Sequence, residues 1–335
     1  MKKALLVFLM ITLVIGSLAG CGKQPTTQDK QEGDELNSYT FKLGFNTTED
    51  SVRGEMSKEF KRVLEEESNG RLKVEIFPTE LLGSEQEQIE GILVGSQDFS
   101  LPGGGAMSNV DPVFGAASLP FLTTGYDDAH AKMDGEIGDY WKQTALKHGY
   151  KILGFGDLGF AQVTNSKRAI NSIEDMRGLK MRSPNEPVLI GTMQNLGASV
   201  ATIPFTEVYL SLQQGVVDGQ FNPMDAIYQT KFHEVQDYMA QLNIFYYNIN
   251  FLTSEKLWNQ LDDEAKEIVQ KAADAAIEVS REYYVNGDVE YLKKLQDSFK
   301  EVTEPDTTEF RKAVQPVYDE FAKKIPADFA ELLNK

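Results

Sequence analysis

Cysteine is nearly absent from this chain, which has 335 residues and a single cysteine, Cys21. Apart from that residue the chain has no thiol nucleophile or thiolate metal ligand, and it forms no internal disulfide. Histidine is almost as scarce, with three residues in all. His233-Glu234 lacks the second histidine of a zinc-protease helix, and there is no Gly-x-Ser-x-Gly elbow of a serine hydrolase. The sequence therefore predicts no metal, no cofactor and no enzyme activity.

Basic residues are few relative to acidic ones. The chain has 33 Lys and Arg against 51 Asp and Glu, which gives a net charge of −18. A strongly acidic surface argues against binding to nucleic acid or to anionic lipid headgroups, and it favours solubility. It does not exclude an anionic small ligand, because salt screens surface charge beyond roughly 8 Å while a buried arginine acts locally.

Long apolar runs are missing except at the N-terminus. Two lysines precede an apolar run over residues 4–18, and Leu18-Ala19-Gly20-Cys21 ends it. A basic start, an apolar stretch and a small-residue cleavage site are the parts of an export signal. A cysteine directly after the cut resembles the lipobox of bacterial lipoproteins. The alternative is a stray cysteine beside a short transmembrane anchor, but the run is shorter than the roughly 20 residues that span a bilayer. We expect a signal peptide at residues 1–20 and a lipid on Cys21.

The rest of the chain begins with a polar segment and continues with a globular pattern. Residues 21–38 have no apolar periodicity, which is typical of a flexible tether. Apolar alternation then predicts strands near residues 41–45 and 72–76, with a helix between them, and a similar unit follows over about residues 152–221. Strands that alternate with helices predict a mostly parallel sheet covered by helices. The length of the chain is near the size at which one core gives way to two, so two lobes are expected.

Local signals place three helix starts. Thr47 or Thr48 is expected to cap the first helix, because its hydroxyl can accept from the first turn. Ser84-x-x-Glu87 is a capping box. Asp262 or Asp263 is expected to cap a long amphipathic helix in the C-terminal third.

Three polar side chains stand at the ends of predicted strands: Asn46, Arg182 and Asn222. In open α/β sheets, ligands bind outside the carboxyl ends of the strands. The planar fork of arginine suits a carboxylate, and asparagine both donates and accepts hydrogen bonds. Position alone leaves two interpretations of Arg182 open, a surface salt bridge and a ligand clamp.

Several stretches of the chain resemble the solute receptors of TRAP (tripartite ATP-independent periplasmic) transporters, the DctP family. The longest are residues 168–184, which read RAINSIEDMRGLKMRSP, and residues 205–223, which read FTEVYLSLQQGVVDGQFNP. Shorter matches are KLGFN at 42–46, PTELLG at 78–83 and LPF at 119–121. Their order matches that of the family and they cover nearly all of the chain after the tether.

The resemblance implies an α/β, two-lobed, periplasmic-binding-protein-like fold (type II-like) with a hinge and a cleft. We expect lobe 1 to comprise residues 39–158 with about 248–287, and lobe 2 to comprise residues 159–247 with about 288–335. The implied protein is a monomer that receives an organic acid outside the cytoplasm. It would deliver that acid to membrane permease subunits whose transport is driven by an ion gradient.

Site residues are carried over from the resemblance position by position. Arg182 matches the arginine that grips the ligand carboxylate, Asn222 matches a cleft asparagine, and Phe205 matches an aromatic that packs on the ligand. Asn46 and Glu85 match first-lobe positions that contact ligand in sialic-acid binders, and for both a purely structural role stays open. Asn185 either reaches the ligand or only caps the next helix. Phe221 and Tyr247 complete the expected set.

The chain departs from the family pattern at three places, and each departure removes a charge. Many relatives have a second arginine where Ala161 stands and a glutamate where Phe221 stands. The acidic position of sialic-acid binders falls in Gly103-Gly104-Gly105, which is not a phosphate loop because no Gly-Lys-Ser/Thr follows. These changes predict a less polar pocket and a monocarboxylate with an apolar or aromatic body. The aromatic residues expected near it are Phe160, Phe205, Phe221 and Tyr247.

Two other functions fit a lipid-anchored, two-lobed protein. One is a solute-binding lipoprotein of an ATP-driven importer or of a sensor kinase, which neighbouring permease genes would distinguish. The other is a lipid-anchored enzyme on the same scaffold, which the absence of a catalytic set disfavours and which turnover of a bound ligand would reveal.

Overall fold

The computed structural model describes residues 38–333, without the side chains of residues 285 and 286. The predicted signal peptide, the lipidation of Cys21 and nearly all of the predicted tether lie outside the described residues. Within the described part, no helix combines the length and the apolar character needed to cross a membrane.

The strands of the described region form two sheets. The strands are β1 (Tyr39–Gly44), β2 (Leu72–Phe77), β3 (Phe99–Ser100), β4 (Tyr150–Phe160), β5 (Gln162–Asn165), β6 (Lys180–Ser183), β7 (Ser199–Thr202), β8 (Gly219–Asn222), β9 (Tyr238–Ala240), β10 (Tyr246–Ser254) and β11 (Glu301–Thr303). One sheet has the order β2-β1-β3-β10-β4, and the other has the order β11-β9-β5-β8-β6-β7.

Each sheet joins parallel strands to antiparallel ones. In the first sheet β1 runs parallel to β2 and β3, whereas β10 is antiparallel to β3 and β4. In the second sheet β6 runs parallel to β7 and β8, whereas β5 is antiparallel to β8 and β9. The chain crosses from the first sheet to the second between β4 and β5 and returns between β9 and β10. The antiparallel pairs involve β5 and β10, the strands that follow these two crossings. Both sheets are therefore mixed.

Helices cover the sheets, and short 3-10 turns connect them. The turns near the site are Gly104–Asn109, Pro112–Ser118 and Phe205–Glu207. The helices are α1 (Val52–Glu67), α2 (Glu85–Val94), α3 (Tyr126–Met133), α4 (Glu136–Lys147), α5 (Pro187–Asn195), α6 (Val208–Gln213), α7 (Met224–Gln229), α8 (Glu255–Gln260), α9 (Asp263–Gln296), α10 (Thr308–Ala313), α11 (Gln315–Ala322) and α12 (Ala327–Leu332).

The helix caps agree with the sequence at two starts and differ at one. Ser84 and Glu87 form the predicted capping box of α2, and the Asp262 side chain accepts from Ala265 N at the start of α9. The cap of α1 is Ser51, so the prediction of a threonine cap is wrong. The Thr47 and Ser51 hydroxyls lie 2.6 Å apart, and Ser51 Oγ accepts from Gly54 N, because a turn intervenes before the helix begins.

The long helix α9 packs against both sheet regions. Its N-terminal half shares a core with β1 and α1, to which Val269, Ala272, Phe41 and Phe60 belong. Its C-terminal end joins a second core with α6 and α7, in which Leu295 takes part. The division of the chain between lobes at residue 287 therefore stays a prediction, because a single helix contributes to both cores.

Candidate functional site

The carboxyl ends of strands from both sheets border one cleft of about 240 Å³. A narrower extension of about 50 Å³ adjoins it and shares the same arginine. All eight residues predicted for the site line the cleft or its extension: Asn46, Glu85, Arg182, Asn185, Phe205, Phe221, Asn222 and Tyr247. The structure therefore brings the predicted set together, and direct contact with a ligand stays a prediction for each of them.

Arg182 lies near the end of β6 and is 4% exposed. Its Nε donates to the Ile203 carbonyl at 2.8 Å, and its guanidinium lies 5.8 Å from the ring centroid of Phe205. Among the described residues no carboxylate oxygen lies within 4.0 Å of it, so the surface salt-bridge interpretation finds no partner there. Burial lowers the pKa of Arg182 to about 10, which still leaves it charged at neutral pH. A buried cation without a paired anion is suited to hold a carboxylate.

A second arginine, Arg53, lies in the extension of the cleft. It was not predicted as a site residue from the sequence. It is the second residue of α1 and is 3% exposed. Its Nε donates to the Leu101 carbonyl at 2.7 Å, and its Nη2 lies 3.2 Å from Glu85 Oε1. The same Glu85 oxygen accepts from Gly103 N at 3.0 Å. Because Glu85 is held by these two donors, it has a structural role whether or not it also touches a ligand.

Glu186 is buried and lines the same cleft as Arg182. It too was not predicted as a site residue from the sequence. It stands at the cap position of α5, but its side chain makes no capping bond. Instead its Oε2 accepts from Ser118 Oγ at 2.6 Å. Burial raises the pKa of Glu186 to about 7. A Cβ on Gly105 would lie 2.1 Å from Glu186 Oε2, so the glycine segment leaves room for this carboxyl group.

The three asparagines of the predicted set differ in their hydrogen bonding. Asn46 is 8% exposed, and its Oδ1 is buried without a hydrogen-bond partner among the described residues. Asn222 ends β8, and its Nδ2 donates to Gln220 Oε1. Asn185 is exposed and its carbonyl accepts from Asn109 Nδ2 at 3.1 Å. The cap position of α5 belongs to the next residue, so the alternative role of Asn185 as a cap is wrong.

The aromatic residues are divided between the cleft and another region. Phe205, Phe221 and Tyr247 line the cleft or its extension. Phe160 does not, because its ring packs on Tyr126 and Tyr246 and faces a separate cavity.

The cleft is more highly charged than the sequence predicted. Two arginines and three carboxyl groups line it: Arg53, Arg182, Glu80, Glu85 and Glu186. Glu80 accepts a short hydrogen bond from the Thr206 hydroxyl, and burial raises its pKa. That the pocket is less polar than the pockets of relatives stays a prediction, which considered only the charges lost at Ala161, at Phe221 and in residues 103–105. It missed charges that reach the cleft from other positions. No group of three or more metal-ligating side chains occurs between residues 38 and 333.

The family comparison covers most of the chain. The profile of the DctP family, described as "Bacterial extracellular solute-binding protein, family 7", matches residues 43–324. A curated relative, the sialic acid-binding periplasmic protein SiaP of Vibrio cholerae, is 31% identical over 287 residues. The match covers 85% of this chain and 89% of the relative.

Solved structures of similar proteins share the fold over most of this chain. The sugar acid binding protein DctPAm of Advenella mimigardefordensis, in complex with galactonate, has a TM-score of 0.86 and 29% identity. The match covers 89% of this chain and 97% of that one. A TRAP periplasmic solute-binding protein of Polaromonas, bound to D-erythronate, has a TM-score of 0.83 and 32% identity, with 88% and 97% covered. The two sheets and the cleft are thus those of a two-lobed receptor, and the chain belongs to the DctP family of TRAP solute-binding proteins.

Proposed function

We propose that this protein binds an organic acid through Arg182 and delivers it to a TRAP-type membrane permease. The observation that carries the proposal is the buried, unpaired guanidinium of Arg182 in a cleft lined by residues of both sheets. A carboxylate would give this cation the paired anion that the described residues do not supply.

The size of the cleft and the ligands of the relatives support a small acid. A volume of about 240 Å³ is below the roughly 300–1,000 Å³ of sites for drug-sized molecules. Galactonate, D-erythronate and sialic acid, which the relatives bind, each carry one carboxylate. Of the two arginines in the cleft, Arg53 pairs with Glu85, so Arg182 is available to hold one carboxylate.

The proposal includes a location and a mode of delivery. Cys21 would carry a lipid, and residues 22–38 would act as a tether. Lipid and tether together would raise the effective concentration of the receptor near its permease. The protein would release the acid chemically unchanged, as a receptor does and an enzyme does not.

A binding screen with two arginine variants tests the proposal. Organic acids that raise the melting temperature of the wild type are titrated by calorimetry into wild type, Arg182→Ala and Arg177→Ala. Removing Arg182 should cost roughly 2–5 kcal/mol, since a buried carboxylate loses its partner. That is about 30-fold to several thousand-fold in affinity. Arg177 is the matched control, because its side chain is 72% exposed and forms a surface ion pair with Glu174.

Two outcomes would contradict the proposal. One is an Arg182→Ala variant that binds its acid as tightly as the wild type does. The other is mass spectrometry of the released ligand that shows a chemical change, which would indicate an enzyme.

A further inference from the structure

Glu186 and Arg182 are oppositely charged and line the same cleft, but they form no ion pair with each other. Both line the main cleft and its extension, and both are more than nine-tenths buried. Nevertheless no nitrogen of Arg182 lies within 4.0 Å of a Glu186 carboxyl oxygen, so the two side chains form no salt bridge. The two charges therefore face a common space without neutralising each other directly.

The carboxyl group of Glu186 has too few donors for its burial. A buried carboxylate is stabilised when two or three donors reach it. Within the described residues the side chain of Glu186 accepts a single hydrogen bond, from Ser118 Oγ to Oε2. The raised pKa of about 7 is the expected consequence, because burial penalises the charge more than one hydroxyl compensates. A further donor inside the cleft would relieve this penalty.

The surroundings hold this carboxyl group in place. Gly105 has no side chain, and an added Cβ would lie 1.9 Å from Ser118 Oγ and 2.1 Å from Glu186 Oε2. Pro187 begins α5 immediately after Glu186 and restricts the backbone there. Glu186 is therefore a fixed acceptor, and a ligand has to meet it where it stands.

We propose that Glu186 is a specificity-determining residue that accepts a hydrogen bond from a hydroxyl group of the ligand while Arg182 holds the ligand carboxylate. The preferred ligand is then a hydroxylated monocarboxylate. A plain acid leaves Glu186 without its second donor. This inference rests on the proposed function, because it assumes that an organic acid occupies the cleft.

The test compares plain acids with hydroxylated acids of the same carbon-chain length. Propanoate, 2-hydroxypropanoate and 2,3-dihydroxypropanoate, and butanoate with D-erythronate, are titrated into the wild type by calorimetry. We expect each hydroxylated acid to bind about 10- to 100-fold more tightly than its plain partner, because its hydroxyl group can donate to the Glu186 carboxyl group in the cleft lining. Equal affinities within both series would overturn the inference while leaving the proposed function intact. Absence of binding by every carboxylate would instead contradict the proposed function.

Two variants assign the preference to Glu186. Glu186→Gln and Glu186→Met remove the charge and keep a side chain of similar size. Hydroxylated acids should bind each variant about 10-fold more weakly than they bind the wild type. Plain acids should bind as well as before or better, because the like charge is gone. Glu174→Gln changes an exposed glutamate and serves as the control. It should change the affinity for neither class of acid.

Two further results would count against the inference. Equal weakening of both classes by the Glu186 variants would show a general structural role. Tighter binding of 2-aminopropanoate than of 2-hydroxypropanoate would show that the site recognises a cation instead of a hydroxyl. The comparison of acids on the wild type decides the matter even if a variant does not fold.

Discussion

Asp225 is a buried acid whose ionisation should affect the stability of the whole protein. It is the second residue of α7 and follows Asn222 by three positions. It is 1% exposed, and its Oδ1 has no hydrogen-bond partner among the described residues. Burial raises the pKa of Asp225 to about 6. The folded protein therefore holds this proton more tightly than the unfolded chain, whose aspartates titrate near 3.9.

The Asp225→Asn variant should have a flatter dependence of stability on pH. Below about pH 4 Asp225 is protonated in both states, and its contribution to stability is fully present. As the pH rises through 6 that contribution is lost, at about 1.4 kcal/mol per unit of difference between the two pKa values. The decrease in unfolding free energy from pH 4 to pH 7 should thus be about 2 kcal/mol smaller in the variant. Urea unfolding at several pH values measures it.

The exposed Asp127 provides the control for this measurement. Asp127→Asn should leave the slope of stability against pH unchanged. Parallel curves for wild type and Asp225→Asn would contradict the assignment of this slope to Asp225. Glu186 contributes a similar loss between about pH 4.5 and pH 7, because burial raises its pKa as well. The variant should therefore keep part of the wild-type slope.

The residues of the cleft could be predicted only where a strand end or a family motif marked them. Arg182 and Asn222 follow predictable strands, so their convergence in a cleft could be expected from the sequence. Arg53 carries no such signal, because a charged residue at the start of an amphipathic helix usually faces solvent. Glu186 was not predicted as a site residue for another reason. Its environment is made by Ser118, which is 68 positions away in the chain, and sequence periodicity does not report contacts of that range.

At the scale of elements, the antiparallel strands were missed because their residue patterns do not alternate. β4 and β10 are buried on both faces along most of their length, so apolar and polar residues follow no period of two. β4 also contains three glycines, which read as strand breakers in a sequence. In the structure they provide space for α9. A Cβ on Gly154 would lie 2.4 Å from Ile277 Cδ1, and one on Gly159 would lie 2.7 Å from Tyr284 Cε1.

The Gly159→Ala variant should weaken the packing of β4 against α9. Gly159 has a φ of +89°, which alanine adopts only with strain, and the Tyr284 ring beside it is buried. Strain and overpacking together should lower the unfolding free energy by about 2–4 kcal/mol. Urea unfolding followed by circular dichroism measures the loss.

Gly191→Ala is the matched control for a glycine inside an element. Gly191 lies in α5, and no atom stands within 4 Å of an added Cβ. Because alanine favours a helix over glycine, this variant should gain about 0.5–1 kcal/mol. If Gly159→Ala were as stable as Gly191→Ala, the close approach of α9 would not require the glycine.

At the scale of the whole molecule, the two sheet regions meet at the cleft and through α9. Hydrogen bonds span the cleft mouth, where the Thr206 hydroxyl donates to Glu80 and Asn109 donates to the Asn185 carbonyl. Asn46 and Glu85 approach the cleft from the sheet that contains β1, while Arg182 and Phe205 approach it from the sheet that contains β6. A ligand that touches both sides favours the closed arrangement, since only a difference in affinity between two conformations shifts their populations.

Ligand binding should therefore make the protein more compact. We expect the radius of gyration from small-angle X-ray scattering to decrease when the acid with the largest thermal shift saturates the wild type. Arg182→Ala should show no decrease at the same concentration, because the ligand loses its main contact on the second side. Arg177→Ala should become as compact as the wild type, since that exposed arginine is far from any ligand role. Saturation of the wild type without any change in the scattering curve would mean that the lobes close before the ligand arrives. The ligand would then bind without the hinge motion that the proposed delivery to a permease requires.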